Sequence, residues 1–216
     1  MTAAPARRRV RAALGLAALV LAGVALVLWL LRDDADGVTL PAGRALEVAQ
    51  LERLRSVPEF TLERLGGQLG AADLRGRWNF VFFGYTNCPD ACPETLGILS
   101  HVQEGLRAQG TAAPRIVFVS LDAQRDTPKV LHDYLAEFDA DAVGATGSAA
   151  ALQGLLDFFG VTFERRPGQD ASSYTLDHTT TFFLLTPDGR WLATFAPADD
   201  PDAVLEDTAT LLQARW

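Results

Sequence analysis

The chain's only two cysteines, Cys88 and Cys92, stand four positions apart in FFGYTNCPDACPETL, the stretch from Phe82 to Leu96. Three residues separate them, where a thioredoxin-type redox pair has two. Thiols this close can form a disulfide, exchange disulfides with a partner, or hold a soft metal ion. Pro93 places Cys92 at the mouth of a helix, because proline favours the first helical position and biases the residue before it away from helical geometry. Cys88 then falls in the preceding turn, shaped by Pro89 and Asp90, and both sulfurs can point into one pocket. The helix amides are expected to favour thiolate over thiol and so to lower the cysteine pKa.

A third ligand would decide between disulfide and metal, and the chain has three histidines. His101 lies nine residues beyond Cys92 on the same expected helix, a rotation of about 900° that puts it on the opposite side. His132 stands beside Asp133 on a polar edge between Leu131 and Leu135. Both are expected to be ordinary surface or half-buried histidines. His178 differs: it occurs in LDHTTTFFLL, directly before an apolar strand, where a thioredoxin carries a proline pressed against its disulfide. An imidazole there can turn toward two thiolates, although the same placement suits a structural histidine. Two sulfurs and one nitrogen suit copper, the sulfurs favouring Cu(I) and the nitrogen also accommodating Cu(II). Zinc accepts the same set. The sole methionine is Met1, which excludes a methionine-rich copper site in the body.

The elements that must position these residues follow from the hydrophobic pattern. NFVFFGY is short and continuously apolar, the pattern of a strand buried on both faces, and RIVFVSLD from Arg115 to Asp122 is a second. Helices are expected over ETLGILSHVQEGLRAQG, ended by Gly110, and over TPKVLHDYLAEF, with Asp126 or Thr127 as cap and Pro128 in the first turn. A third helical pattern covers residues 149–159, and a fourth runs from about Asp202 to Gln213. Two hairpins are expected, one around Gly66-Gly67 and one at Pro187-Asp188-Gly189. This order is that of an α/β thioredoxin-like sandwich, with the cysteines at the carboxyl end of a buried strand, where sites collect in open α/β sheets.

Upstream of this body the composition changes. Twenty uncharged residues, AALGLAALVLAGVALVLWLL, lie between Arg11 and Arg32 and as a helix would rise about 30 Å, enough to cross a bilayer core. The arrangement expected is a short cytoplasmic segment over 1–11, a transmembrane helix over 12–31, a stalk over 32–56 and a globular domain over 57–216. The cluster from Arg7 to Arg11 should stay cytoplasmic, which sends the body into the periplasm as the C-terminal domain of a single-pass inner-membrane protein. Of the 19 basic side chains five precede residue 33, leaving 14 against 27 acidic ones. A body so acidic would be repelled by a nucleic-acid backbone, so no nucleic-acid partner is expected.

Taken together, FFGYTNCPDACPETL, VSLDAQRDTPKVL, the GATGS stretch from Gly144 to Ser148, FGVTFE and LDHTTTFFLLTPDGR resemble the SCO/SenC family, membrane-anchored copper proteins that serve cytochrome c oxidase assembly. The resemblance covers the anchor and about 150 residues of the body. It implies a thioredoxin-like fold, copper ligands at Cys88, Cys92 and His178, and acidic positions near the site at Asp122 and Asp126. The partners it implies are the oxidase's second subunit with its copper A centre, an upstream copper donor and a thiol reductant. Asn87 departs from the histidine or aromatic residue that members often carry before the first cysteine. The implied role is to deliver copper to the copper A centre or to reduce its cysteines, and the leading reading is a carrier that turns over no substrate. The alternative from another class is a periplasmic thiol-disulfide oxidoreductase acting through the redox pair Cys88 and Cys92.

Overall fold

A computed structural model describes residues 54–168, 173–196 and 200–214. The expected transmembrane helix and all but the last residues of the expected stalk lie outside them. No helix among the described residues is long and apolar enough to cross a membrane.

The elements run β1 (Arg55–Ser56), β2 (Thr61–Arg64), β3 (Gly67–Gly70), a 3-10 turn (Ala71–Leu74), β4 (Asn79–Gly84), α1 (Ala91–Ala108), β5 (Arg115–Ser120), α2 (Pro128–Leu135), β6 (Val143–Thr146), α3 (Ala149–Phe159), β7 (Phe163–Pro167), β8 (Tyr174–His178), β9 (Phe182–Leu185), β10 (Arg190–Phe195) and α4 (Pro201–Gln213). Eight strands form one sheet in the order β1-β10-β9-β4-β5-β6-β2-β3. β4, β5 and β6 are parallel neighbours, and β9 closes antiparallel on β4. This is a mixed α/β sheet of thioredoxin type. Arg55 and Ser56, at the end of the expected stalk, pair with Trp191 and Arg190 of β10.

Burial on both faces explains why β4 is a continuous apolar run: every residue from Asn79 to Gly84 is buried. Alternation sends Phe80 and Phe82 to one face and Val81 and Phe83 to the other. Phe82 packs edge-on against Phe118 of β5, which in turn meets Tyr134 of α2. On the opposite face Phe83 and Phe183 meet Phe159 of α3, and Trp191 closes that cluster. Helices therefore cover both faces of the sheet, and α1 packs along α4.

The helix boundaries follow local chemistry. Thr127 caps α2, its hydroxyl accepting from the Val130 amide, and Pro128 occupies the first helical position. Ser148 caps α3 in the same way, and Gly160 ends it in the left-handed conformation at φ 68°. Two features escape the hydrophobic pattern. β6 runs from Val143 into the GATGS stretch, too small in its side chains to read as a strand. The hairpin β7–β8 forms a separate two-stranded sheet, and every residue of β7 is exposed, so no apolar alternation announces it.

Candidate metal centre

β4 ends at Gly84, and the chain turns through Tyr85–Asp90 before α1 begins. The turn closes by a hydrogen bond from the Cys88 amide to the Tyr85 carbonyl at 3.3 Å. α1 starts at Ala91, so Pro93 is its third residue, not its first as the sequence suggests. The position tolerates proline because the first four amides of a helix have no partner within it. Cys92 sits in the first turn, fully buried, and its amide donates to the Sγ of half-buried Cys88 at 3.4 Å. Gly84 makes room for it: a Cβ there would lie 2.7 Å from the Cys92 Sγ.

His178 arrives from the other side at the end of β8, paired across the hairpin with Phe163. Its ring stands edge-on to Tyr85 at 5.8 Å and beside Phe82 at 6.3 Å. Nδ1 lies 2.8 Å from the Thr179 carbonyl oxygen. A carbonyl can only accept, so Nδ1 carries the proton and Nε2 keeps a free lone pair. Nε2 points at the Cys92 Sγ, 3.6 Å away. The two sulfurs and an imidazole nitrogen all lie within 4.8 Å of one another. Three donors converging on one point, one of them with its tautomer set by a backbone partner, fit a soft metal ion.

Burial sets the charge state of the donors. It lowers the His178 pKa against the opposing pull of the Thr179 carbonyl and Asp177, so the imidazole is neutral at pH 7 and free to ligate. Burial also pushes the Cys92 thiol well above its ordinary range, and nearby Cys88 and Asp126 add to the rise. At Cys92 the expectation of a depressed thiol pKa therefore fails, because desolvation outweighs the helix amides. Metal binding at Cys92 must displace a proton.

The two acidic positions take different parts. Asp126 is fully buried and accepts from the Ser120 hydroxyl at 2.6 Å and from the Thr86 amide at 3.0 Å, with the Thr86 hydroxyl as a third donor. It ties the end of β5 to the turn that carries Cys88; the helix cap beside it is Thr127. Asp122 pairs with Arg125 and accepts from the Tyr174 hydroxyl at 2.6 Å. Of the remaining histidines, His101 is exposed and bonded to Asp202 at 2.8 Å, and His132 is exposed on α2. Neither approaches the cysteines. Tyr85, Arg125 and Tyr174 are neighbours of the site that spacing did not reveal; Tyr85 alone carried a signal, its place three residues before Cys88.

The family model described as SCO1/SenC matches residues 48–213. The chain is 33% identical over 150 residues to the SCO2-like protein of Rickettsia felis, covering 68% of this chain and 73% of that one. It spans about half the length of mitochondrial relatives, 51% in the SCO2 homolog of Bos taurus. Among solved structures, Arabidopsis thaliana ScoI with copper bound superposes with a TM-score of 0.69 at 26% identity, covering 74% of this chain and all of that one. With the match running over residues 48–213, well over half of the sequence, the chain belongs to the SCO1/SenC family.

Proposed function

We propose that this protein is a copper-binding protein of cytochrome c oxidase assembly that carries one copper ion on Cys88, Cys92 and His178 and passes it to the copper A centre of the oxidase's second subunit. The observation that carries the proposal is the convergence of two sulfurs and an imidazole nitrogen within 4.8 Å. The copper bound to the Arabidopsis relative supports the choice of metal. Uptake releases the thiol protons. Transfer is ligand exchange: an acceptor's deprotonated cysteine bonds the metal as one donor of this site leaves, and the freed thiolates are reprotonated. No electron moves, and a separate thiol reductant keeps the cysteines ready. Half-buried Cys88 is the sulfur an acceptor reaches first, and buried Cys92 the one that leaves last. The anchored, periplasm-facing placement and the upstream donor belong to the same proposal, resting on the sequence and the resemblance.

The test is an anaerobic Cu(I) titration of the reduced full chain against a chromophoric chelator, beside the His178→Ala variant. Tight one-to-one binding that the variant loses is the expected result. Weak or histidine-independent binding would overturn the carrier reading in favour of thiol-disulfide exchange by the same cysteines.

A further inference from the structure

The hairpin that delivers His178 is not paired with the main sheet; among the described residues β7 and β8 bond only to each other as strands. Its position must therefore come from side chains. β8 turns Tyr174, Leu176 and His178 inward and leaves Thr175 and Asp177 exposed, the alternation of a strand lying on a surface. Leu176 is buried in the core, and its backbone meets the Tyr85 side chain. Tyr174 is gripped by two residues of the loop after β5, Asp122 and Arg125. Arg125 donates from Nη1 to the Tyr174 carbonyl at 3.1 Å, lies 3.7 Å over its ring, and pairs through Nε with Asp122, which also accepts from the Tyr174 hydroxyl. The same guanidinium lies 5.7 Å from the ring of Tyr85, in the turn leading to Cys88. Its Nη2 is buried with no hydrogen-bond acceptor among the described residues, and the guanidinium lies against aromatic rings instead.

We infer that Arg125 is a positioning residue for the third ligand, clamping β8 to the turn that carries the cysteines so that His178 meets them. The inference rests on the reading of Cys88, Cys92 and His178 as a copper site. It also makes a distinction within one cluster. Arg165 also lies 3.7 Å from the centroid of the Tyr174 ring, but it belongs to β7 and so to the hairpin itself. Its contact with Tyr174 stays within the hairpin, whereas that of Arg125 joins the hairpin to the body.

A double-mutant cycle on the reduced full chain tests this, with Cu(I) and a competing chelator as the probe. Arg125→Met is expected to weaken binding by about 10–100-fold, the usual effect of losing a group that orients a ligand. In the His178→Ala background the same change should have no further effect, and Arg165→Met should leave the affinity of the parent unchanged. A structural role alone would lower the metal-free melting temperature without coupling to His178. Arg125→Lys keeps the charge but not the planar fork, and it carries the same cycle should the methionine variant not fold. An equal loss with and without His178, or no loss in either background, overturns the clamp while the effect of His178→Ala still upholds the copper site. If His178→Ala alone is silent, the copper-site reading fails and the clamp falls with it.

Discussion

The Nε2 of His178 faces the Sγ of Cys92 at 3.6 Å although 86 positions of sequence separate them. That contact makes a pair of thiols into a three-donor site, and it is specific to one histidine. Replacing His101 or His132 with alanine should leave copper stoichiometry unchanged and affinity within about twofold, the range of surface substitutions away from a site. Replacing His178 should not. Equal losses for all three would remove the basis for the ligand set.

Gly84 is held to glycine by Cys92. A methyl group there would meet the Cys92 Sγ at 2.7 Å and the Phe118 ring at 3.0 Å, and both neighbours are buried. Gly84→Ala is expected to destabilise the metal-free protein by about 1–3 kcal/mol, the usual cost of overpacking. Copper affinity should fall with it, since the sulfur must shift. Thermal melts with and without copper would show both; an alanine variant that matches its parent would mean the helix start yields freely.

Asp126 binds the cysteine turn to β5 by accepting from the Ser120 hydroxyl and the Thr86 amide. Asp126→Ala should cost about 3 kcal/mol, because each buried donor left unpaired costs about 1–3 kcal/mol. Urea unfolding measures that loss. Faster alkylation of Cys88 in the same variant would report the loosened turn, and an unchanged rate would confine Asp126 to global stability.

His178 contributes to the pH dependence of the metal-free protein near neutrality. Burial lowers its pKa below the 6.5 of an exposed imidazole, so the unfolded chain binds a proton that the folded chain refuses. Stability from this group is present above about pH 6.5, and it is lost as the pH falls from there toward the folded pKa. Denaturation at pH 7 and pH 5.5 should show a larger drop for the parent than for His178→Gln. A drop of the same size in both would assign the acid sensitivity elsewhere.

Much of the fold was legible because it is local. Phe80 to Tyr85 is apolar without interruption and became a central strand; Thr127-Pro128 and Pro187-Asp188-Gly189 carry their own backbone preferences and became a cap and a turn. β7 was not legible, since Glu164, Arg165 and Arg166 are exposed and offer no alternation. Pro93 misled by two residues, because a helix tolerates proline anywhere in its first turn.

By itself the sequence determined the donor types, their two locations, and the buried strand that presents the cysteines. These depend on residue identity and short-range pattern. The tertiary structure decided what depends on distance and on water. It brought His178 to the sulfurs, and through the Thr179 carbonyl it chose which nitrogen is free. It buried Cys92 deeply enough to reverse the pKa shift that a helix start suggests, because desolvation of a thiolate exceeds the pull of a few amides. It also set Arg125 between Tyr85 and Tyr174, a relation among three residues from separate elements that no spacing encodes.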